Sequence, residues 1–457
     1  MSTEQYRYRP YRLEVKAELI LEPCLHVGAG EQWHPGTDMP VARLGHVVYI
    51  PGSSLRGVLR HYLEERYDRL SLAMRDLFGY VEPQRGMQPG KGQAGRLAVA
   101  DAMPLSNAAS QPATEIRDYV RIDRRTGAAA ARAKFDAEAV IPKQRFDFLL
   151  VYEGGKANDG ALALLGTGFE ALHRGDIRVG GKSGKGFGQV KLDKTQFWAA
   201  DRSTEEGLLK FWEGRLGNKS YFPTYQWHPA TPPDPQFQEL AIRLKVEFDG
   251  PTLVQAALPP KPGQSGPWNP DHVFVSSAGK PYLPGASLRG VLSTQAEKIV
   301  TTLGLDRNTV FVPLFGEPLD EGQGRKGMLE VSDGSFISGE EVYLDHVALD
   351  RITQAAASGK KFSATALASP KFQVSIRLKY SPQEWRAAAL AAFLVRDLCQ
   401  GRLWAGGGTS RGYGCIRQTS IEESRLNGQQ MPAQRWEDLK PWWGPLNKAW
   451  KEAVHAG

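Results

Sequence analysis

One ordered motif set occurs twice in this chain, and the duplication limits the fold more than any local propensity does. Pro51-Gly-Ser-Ser-Leu-Arg-Gly-Val-Leu59 and Pro284-Gly-Ala-Ser-Leu-Arg-Gly-Val-Leu292 agree at eight of nine positions. Asp271 follows Asp38 by the same 233 residues that separate Pro284 from Pro51. Downstream, Leu77-Phe-Gly79 matches Leu314-Phe-Gly316, and Gly95-Arg-Leu-Ala-Val-Ala-Asp101 matches Gly327-Met-Leu-Glu-Val-Ser-Asp333. Ile122-Asp-Arg-Arg-Thr126 then matches Leu349-Asp-Arg-Ile-Thr353, and Gly180-Gly-Lys-Ser-Gly-Lys-Gly-Phe-Gly188 matches Gly406-Gly-Gly-Thr-Ser-Arg-Gly-Tyr-Gly414. A repeat this long is no solenoid unit, so each half must bury a core of its own.

The 457 residues suffice for two such domains, and 41% apolar with 23% charged residues is the composition of a folded, soluble chain. No run of eighteen apolar residues occurs and the N-terminus has no apolar signal segment, so a cytoplasmic protein without a membrane span is expected. Cys24, Cys399 and Cys415 are odd in number and follow no CxxC spacing, which predicts buried free thiols over a disulfide framework or a zinc knuckle.

Periodicity divides the chain into domains at 1–200 and 238–425, a Pro- and aromatic-rich linker at 201–237 and a Trp-rich tail at 426–457. Each domain opens on an alternating strand, Leu13–Ile20 or Leu240–Phe248. After the Pro-Gly pair the period becomes helical. Leu55, Val58, Leu59, Tyr62, Leu63, Tyr67 and Leu70 share one face, and Leu288, Val291, Leu292, Gln295 and Ile299 repeat most of it. Ser53 or Ser54, and Ser287, stand where N-caps are expected.

A second helix precedes each Gly-rich loop: Trp385–Cys399, opened by the capping box Ser381-Pro-Gln-Glu384, and a weaker Ala161–Leu172 interrupted by Gly166 and Gly168. Residues at about 103–148 and 334–372 are basic and poorly periodic, and read as insertions projecting from the core. The expected fold class is α+β: two tandem ferredoxin-like domains, each with such an insertion and a C-terminal Gly-rich loop. The tail, with Trp436, Trp442, Trp443 and Trp450, is expected to pack on the second domain or on a partner subunit.

A net charge of +7 suits a polyanionic partner. Arg56/Arg289, Arg124/Arg351 and Lys185/Arg411 recur in register, which a merely solvated surface has no reason to do. Helix N-termini with nearby hydroxyls (Ser53, Ser54, Ser287) and an Arg one turn in (Arg56, Arg289) suggest phosphate sites, with an ordinary capped helix as the equal alternative. The Gly-rich loops shift the balance, because glycines admit close backbone approach beside Lys182, Ser183, Lys185, Thr409, Ser410 and Arg411. Neither loop has Walker A spacing, so nucleotide hydrolysis is not supported. Asp38 and Asp271 stand out for their register alone. His34 and His272 flank them at unequal offsets and read as bystanders.

This motif set resembles the RAMP superfamily, specifically the backbone subunits of type III CRISPR effector complexes, and two fused domains resemble the tandem subunit of type III-D variants. The resemblance implies RRM-like domains with thumb insertions. Each would grip guide RNA by its backbone through Ser53, Ser54, Arg56, Arg124, Lys182, Ser183 and Lys185, or Ser287, Arg289, Arg351, Thr409, Ser410 and Arg411. It also implies that Asp38 and Asp271 cleave complementary single-stranded target RNA with a divalent cation, Mg2+ or Mn2+, held by these same two carboxylates, and that other type III effector subunits are partners. A carboxylate with a hydrated cation could orient the scissile phosphate or help remove the 2′-OH proton. Gln255-Ala-Ala replaces the Val27-Gly-Ala-Gly30 turn in the second half, so the loop around Asp271 is expected to differ. A purely structural scaffold and a guide-processing endoribonuclease working through His remain the alternatives.

Overall fold

The structure, a computed structural model, describes residues 10–30, 36–69, 71–81, 92–105, 112–123, 126, 129–155, 160–215, 237–256, 270–317 and 324–455. The chain divides into two compact units: Met1–Arg117 with Asp136–Ser183 and Phe187–Gln236, and Asp118–Phe135 with Gly184–Gly186 and Phe237–Gly457.

In the first, β1 (Tyr11–Leu21) buries every second side chain, so Leu13, Val15, Leu19 and Leu21 enter one core. It lies antiparallel between β6 (Val190–Asp201) and β5 (Arg145–Gly154), and β2 (Leu97–Val99) extends the sheet in the order β6-β1-β5-β2. Two helices supply the rest of this core: α1 (Gly52–Glu64), through Leu55, Leu59 and Leu63, and α3 (Gly160–Arg174), through Leu162, Leu165 and Phe169. Each fully buried leucine contributes about 2 kcal/mol. Helix α3 runs unbroken through Gly166 and Gly168. Gly168 faces α1, where an added Cβ would meet Leu59 and Leu63 at ordinary contact distances of 3.4 and 3.5 Å.

The second unit repeats this plan. Strand β7 (Gln238–Asp249) lies between β11 (Cys415–Leu426) and β10 (Ala356–Tyr380), and β8 (Leu329–Val331) pairs with β10. Helices α5 (Gly285–Thr302) and α7 (Trp385–Cys399) bury Leu288, Leu292, Leu390 and Leu394. The capping box at Ser381 forms as expected, on a 3-10 turn that leads into α7.

Several elements depart from the sequence reading. Helix α1 ends at Glu64, short of Tyr67. The Leu-Phe-Gly landmarks end two helices that sequence periodicity did not reveal, α2 (Leu72–Phe78) and α6 (Arg307–Phe315). These helices are too short to establish a period. They are fixed by caps, Ser71 accepting from the Met74 N–H and Asp306 from the Asn308 and Thr309 N–H groups.

Among the described residues, the insertions form hairpins whose bases belong to the core. Strand β3 (Thr114–Ile122) pairs with β4 (Ala129–Val140), and β9 (Gly334–Leu349) pairs antiparallel with β10. Phe146, Phe148 and Phe372, assigned to insertions from sequence, are fully buried core residues. Strand β10 runs unbroken from hairpin to core across a register shift between Ser338 and Glu340, opposite Pro370, which has no N–H to offer the ladder.

Asp201 still lies in β6, and α4 (Glu205–Arg215) occupies the start of the expected linker. The Pro-rich segment 218–235 lies outside the described residues. The tail forms α8 (Lys440–His455), with Trp442 buried in the second core and Trp450 edge-on to Trp385 and Phe393 of α7. None of the three cysteines is in a disulfide. Cys24 is buried, Cys399 and Cys415 are half-buried, and burial pushes the Cys399 thiol up to about 12.

Candidate nucleic-acid interface

Three of the duplicated landmarks interlock into one structural device. The helix caps are Pro51 and Pro284, without a side-chain cap bond, in place of the expected serines. The Gly52 N–H donates to Asp101 Oδ1 at 2.7 Å and the Gly285 N–H to Asp333 Oδ1 at 2.8 Å, so a carboxylate already sits at each helix start. An incoming phosphate there would meet that negative charge. This corrects the phosphate-site reading of the two turns. Ser53 is exposed, and Ser54 and Ser287 are half-buried.

Arg56 and Arg289 are likewise committed inward. Arg56 donates to Leu97 O (3.1 Å) and Phe78 O (2.8 Å), and Arg289 to Leu329 O (3.3 Å) and Phe315 O (2.8 Å). Each guanidinium also covers the phenyl ring of Leu-Phe-Gly, at 5.5 and 5.4 Å. A Cβ at Gly95 or Gly327 would come within 2.6 Å of the carbonyl of Leu77 or Leu314, so glycine there admits the turn. These arginines recur because the fold needs them, which is where repetition misled the sequence reading.

The Gly-rich loops are anchored by matching backbone bonds in both halves. Gly181 N–H donates to His26 O at 2.8 Å and Gly407 N–H to Leu253 O at 2.7 Å, while Gly188 and Gly414 donate to Cys24 O and Pro251 O, both at 2.9 Å. Between these anchors, Ser183–Lys185 and Thr409–Arg411 each form one 3-10 turn. Thr409, Ser410 and Arg411 are exposed; Lys182, Ser183 and Lys185 are half-buried. Lys185 Nζ lies 4.1 Å from the Tyr119 ring centre and the Arg411 guanidinium 5.1 Å from that of Phe362. Burial lowers the Lys182 pKa, and its amine reaches Met39 Sδ at 3.2 Å, one residue past Asp38. Arg351 is exposed at the tip of the second hairpin, while Arg124 and His34 lie outside the described residues.

Asp38 and Asp271 are both exposed, and both are clasped by the hairpin strand. Asp38 Oδ2 accepts the Asp136 N–H at 3.0 Å while its own N–H donates to Asp136 Oδ1 at 2.8 Å. Asp271 Oδ2 accepts from the Ser363 N–H at 2.8 Å and hydroxyl at 3.2 Å, and its N–H donates back to Ser363 Oγ at 3.2 Å. Sequence reasoning missed Asp136 and Ser363, though each directly follows a phenylalanine, Phe135 or Phe362, in the matched hairpins.

The loops behind the two aspartates differ, as expected from the altered turn. His272-Val273 joins β10 as a parallel bridge, whereas the Asp38 loop is tied by Glu138, which accepts from Val41 N–H and from Arg43 at 2.8 and 2.5 Å. His26 Nδ1 donates to Glu138 O at 2.8 Å, and burial holds its pKa low. Burial also opposes the Glu138 charge, but Arg43, the Val41 N–H and Thr114 outweigh it and hold the carboxyl at about 2. An unfolded Glu titrates near 4.5, so this contribution is complete above about pH 4.5 and is lost as pH falls toward about 2. Thr365 stands at the matching place in β10. Urea unfolding between pH 5 and 2.5 should therefore weaken the first domain more steeply. Glu138→Gln should cost about 3 kcal/mol at pH 7 and flatten that slope; an unchanged slope would refute the assignment.

Among the described residues, no group of three or more His, Cys, Asp and Glu side chains could hold a metal ion. The donors present are hard oxygens, Asp38 with Asp136 and Asp271 with Ser363. That set fits a cation such as Mg2+, which keeps most of its waters and takes one or two carboxylates together with substrate phosphate.

The family model of the RAMP superfamily matches residues 20–191 and 246–417, the same two halves that the motifs define. The chain belongs to the RAMP superfamily. RAMP proteins bind RNA within CRISPR complexes, and this one carries two RAMP domains of mixed α+β, ferredoxin-like structure in tandem. A search of curated proteins gave no match. Among the described residues of this RAMP chain, no helix is long and apolar enough to cross a membrane.

Proposed function

We propose that this RAMP chain is a guide-RNA-binding backbone subunit of a type III CRISPR effector and cleaves complementary target RNA at two sites, one per domain. The observation that carries this reading is the matched pair of exposed carboxylates, Asp38 and Asp271, each clasped to its hairpin strand by reciprocal bonds.

The hairpins add a second in-register feature. Ile116, Val120 and Ile122 are exposed on β3 where Tyr343, Val347 and Leu349 are exposed on β9, and the ion pairs Lys134–Asp118 and Lys361–Asp345 recur between them. Apolar side chains held out in water on both hairpins suit contact with unstacked bases. Ser183, Thr409 and Ser410, with the cations Lys182 and Arg351, offer donors to phosphates without reading base edges.

In the cleavage step, each Asp would stand beside the scissile linkage and accept or orient the proton of the attacking 2′-OH. A divalent cation, Mg2+ or Mn2+, when held by Asp38 and Asp136 or by Asp271, would neutralise phosphate charge. Guide RNA, target RNA and other type III subunits are the proposed partners. RNA extracted from the purified complex should be short and of discrete length. Its retention should fall linearly with log salt, by a slope of about 0.7 per phosphate contacted. RNA of random length, or none, would reject the proposal.

A further inference from the structure

We propose that Arg411 is a latch: it fastens the Gly-rich loop to the root of the second hairpin and thereby positions Asp271. The idea rests on the reading of Asp271 as the residue acting on target RNA, and adds a positioning residue to it.

Phe362 is the hub of the latch. His346 stacks on its ring across the hairpin at 4.8 Å and 23°, and His272 meets it edge-on at 5.6 Å and 65°. The Arg411 guanidinium lies 5.1 Å from the same ring centre and 5.9 Å from that of Tyr413. Tyr413 is itself buried, and its hydroxyl hydrogen-bonds His346 Nε2 at 2.6 Å, so the loop end of the latch is tied to the core.

The dipeptides Phe362-Ser363 and Asp271-His272 therefore meet twice, ring against ring and hydroxyl and amide against carboxylate. His272 Nδ1 is buried with no hydrogen-bond partner among the described residues, so its ring contributes packing here. A displacement of Phe362 must be felt one residue later at Ser363, whose amide and hydroxyl hold Asp271 Oδ2. Arg411, the exposed member, is the part of the latch that loop movement would reach first.

The first half carries matching residues. Lys185 Nζ lies 4.1 and 5.1 Å from the ring centres of Tyr119 and Phe135, which stack on each other at 5.1 Å. Asp136, the residue that clasps Asp38, comes next in the chain. In both halves the loop cation lies over the ring that directly precedes the clasping residue, Phe135 or Phe362, while the second ring differs, Tyr119 in one half and Tyr413 in the other.

The test compares Arg411→Gln, Arg411→Lys and Phe362→Leu in the assembled complex. Amide exchange in the segment carrying Ser363 should quicken about threefold in Arg411→Gln and in Phe362→Leu, the loss expected for one exposed cation–ring contact. The rate of the Asp271-dependent cut at saturating target should fall by a similar factor. Target affinity, guide retention and the Asp38-dependent cut should be unchanged, and Arg411→Lys should restore both altered readouts. The latch is overturned if Arg411→Gln leaves the exchange of Ser363 at the parental rate. It is also overturned if that variant loosens guide RNA and lowers its salt slope, which would make Arg411 a phosphate ligand. Exchange reads the latch without any cleavage, so failure of Asp271 as the cutting residue is seen separately, in the cleavage assay of the parent complex.

Discussion

Asp38→Ala is expected to remove one product band from cleaved target RNA and Asp271→Ala the other, each cut slowing on the order of 10²–10⁴-fold as for loss of a proton-transfer group. The two cuts should lie one domain step apart along the guide, because the two carboxylates occupy matching points of tandem domains. Guide and target binding should persist, since a carboxylate disfavours phosphate contact. The clasp calls for a control. Asp38 also holds the Asp136 N–H, so alanine could act by loosening the hairpin. Asparagine keeps an oxygen for that N–H and removes only the charge. If Asp38→Asn cuts as poorly as alanine, the chemistry and not the clasp is responsible. Chelation of divalent cations should reproduce the double variant. Should both bands survive Asp38→Ala with Asp271→Ala in a complex lacking other active backbone subunits, the chain is a scaffold for RNA cut elsewhere.

Gly188→Ala and Gly414→Ala should each destabilise their domain by more than about 3 kcal/mol, lowering its melting temperature by about 6–12 °C. Both glycines have left-handed backbone, φ 81° and 73°, and an added Cβ would fall onto the carbonyl oxygen of Val179 or Ala405. The same glycines accept from the Val179 and Ala405 N–H groups at 2.8 Å, so the backbone cannot withdraw without breaking the loop closure. Gly57 and Gly290, one residue past the half-buried Arg56 and Arg289, provide the contrast. They lie inside α1 and α5 with nothing within 4 Å of an added Cβ, and alanine there should stabilise by about 0.5–1 kcal/mol. Calorimetry of the four variants decides the point. If Gly188→Ala melts no lower than Gly57→Ala, the loop tolerates a side chain and its glycines answer to something other than close backbone packing.

Sequence alone determined the duplication, the α+β class, the alternating central strands and the helices before the Gly-rich loops, because period and register are properties of the chain itself. It also picked out Asp38 and Asp271 as a matched pair. What it could not determine was which repeated residue serves the fold and which faces solvent. Arg56 and Lys185 look alike as basic residues repeated in register, yet one guanidinium ends on two carbonyls and the other cation on two aromatic rings. Ser54 looked like a cap, but the N-cap is Pro51, and the Gly52 N–H at the helix start goes to Asp101, distant in sequence and brought to the helix by β2. Asp136 and Ser363 stayed hidden for the same reason. They reach the aspartates across 98 and 92 residues, a distance that only the paired strands close. Burial and hydrogen-bond partnership are relations between distant segments, so the tertiary structure alone decided them.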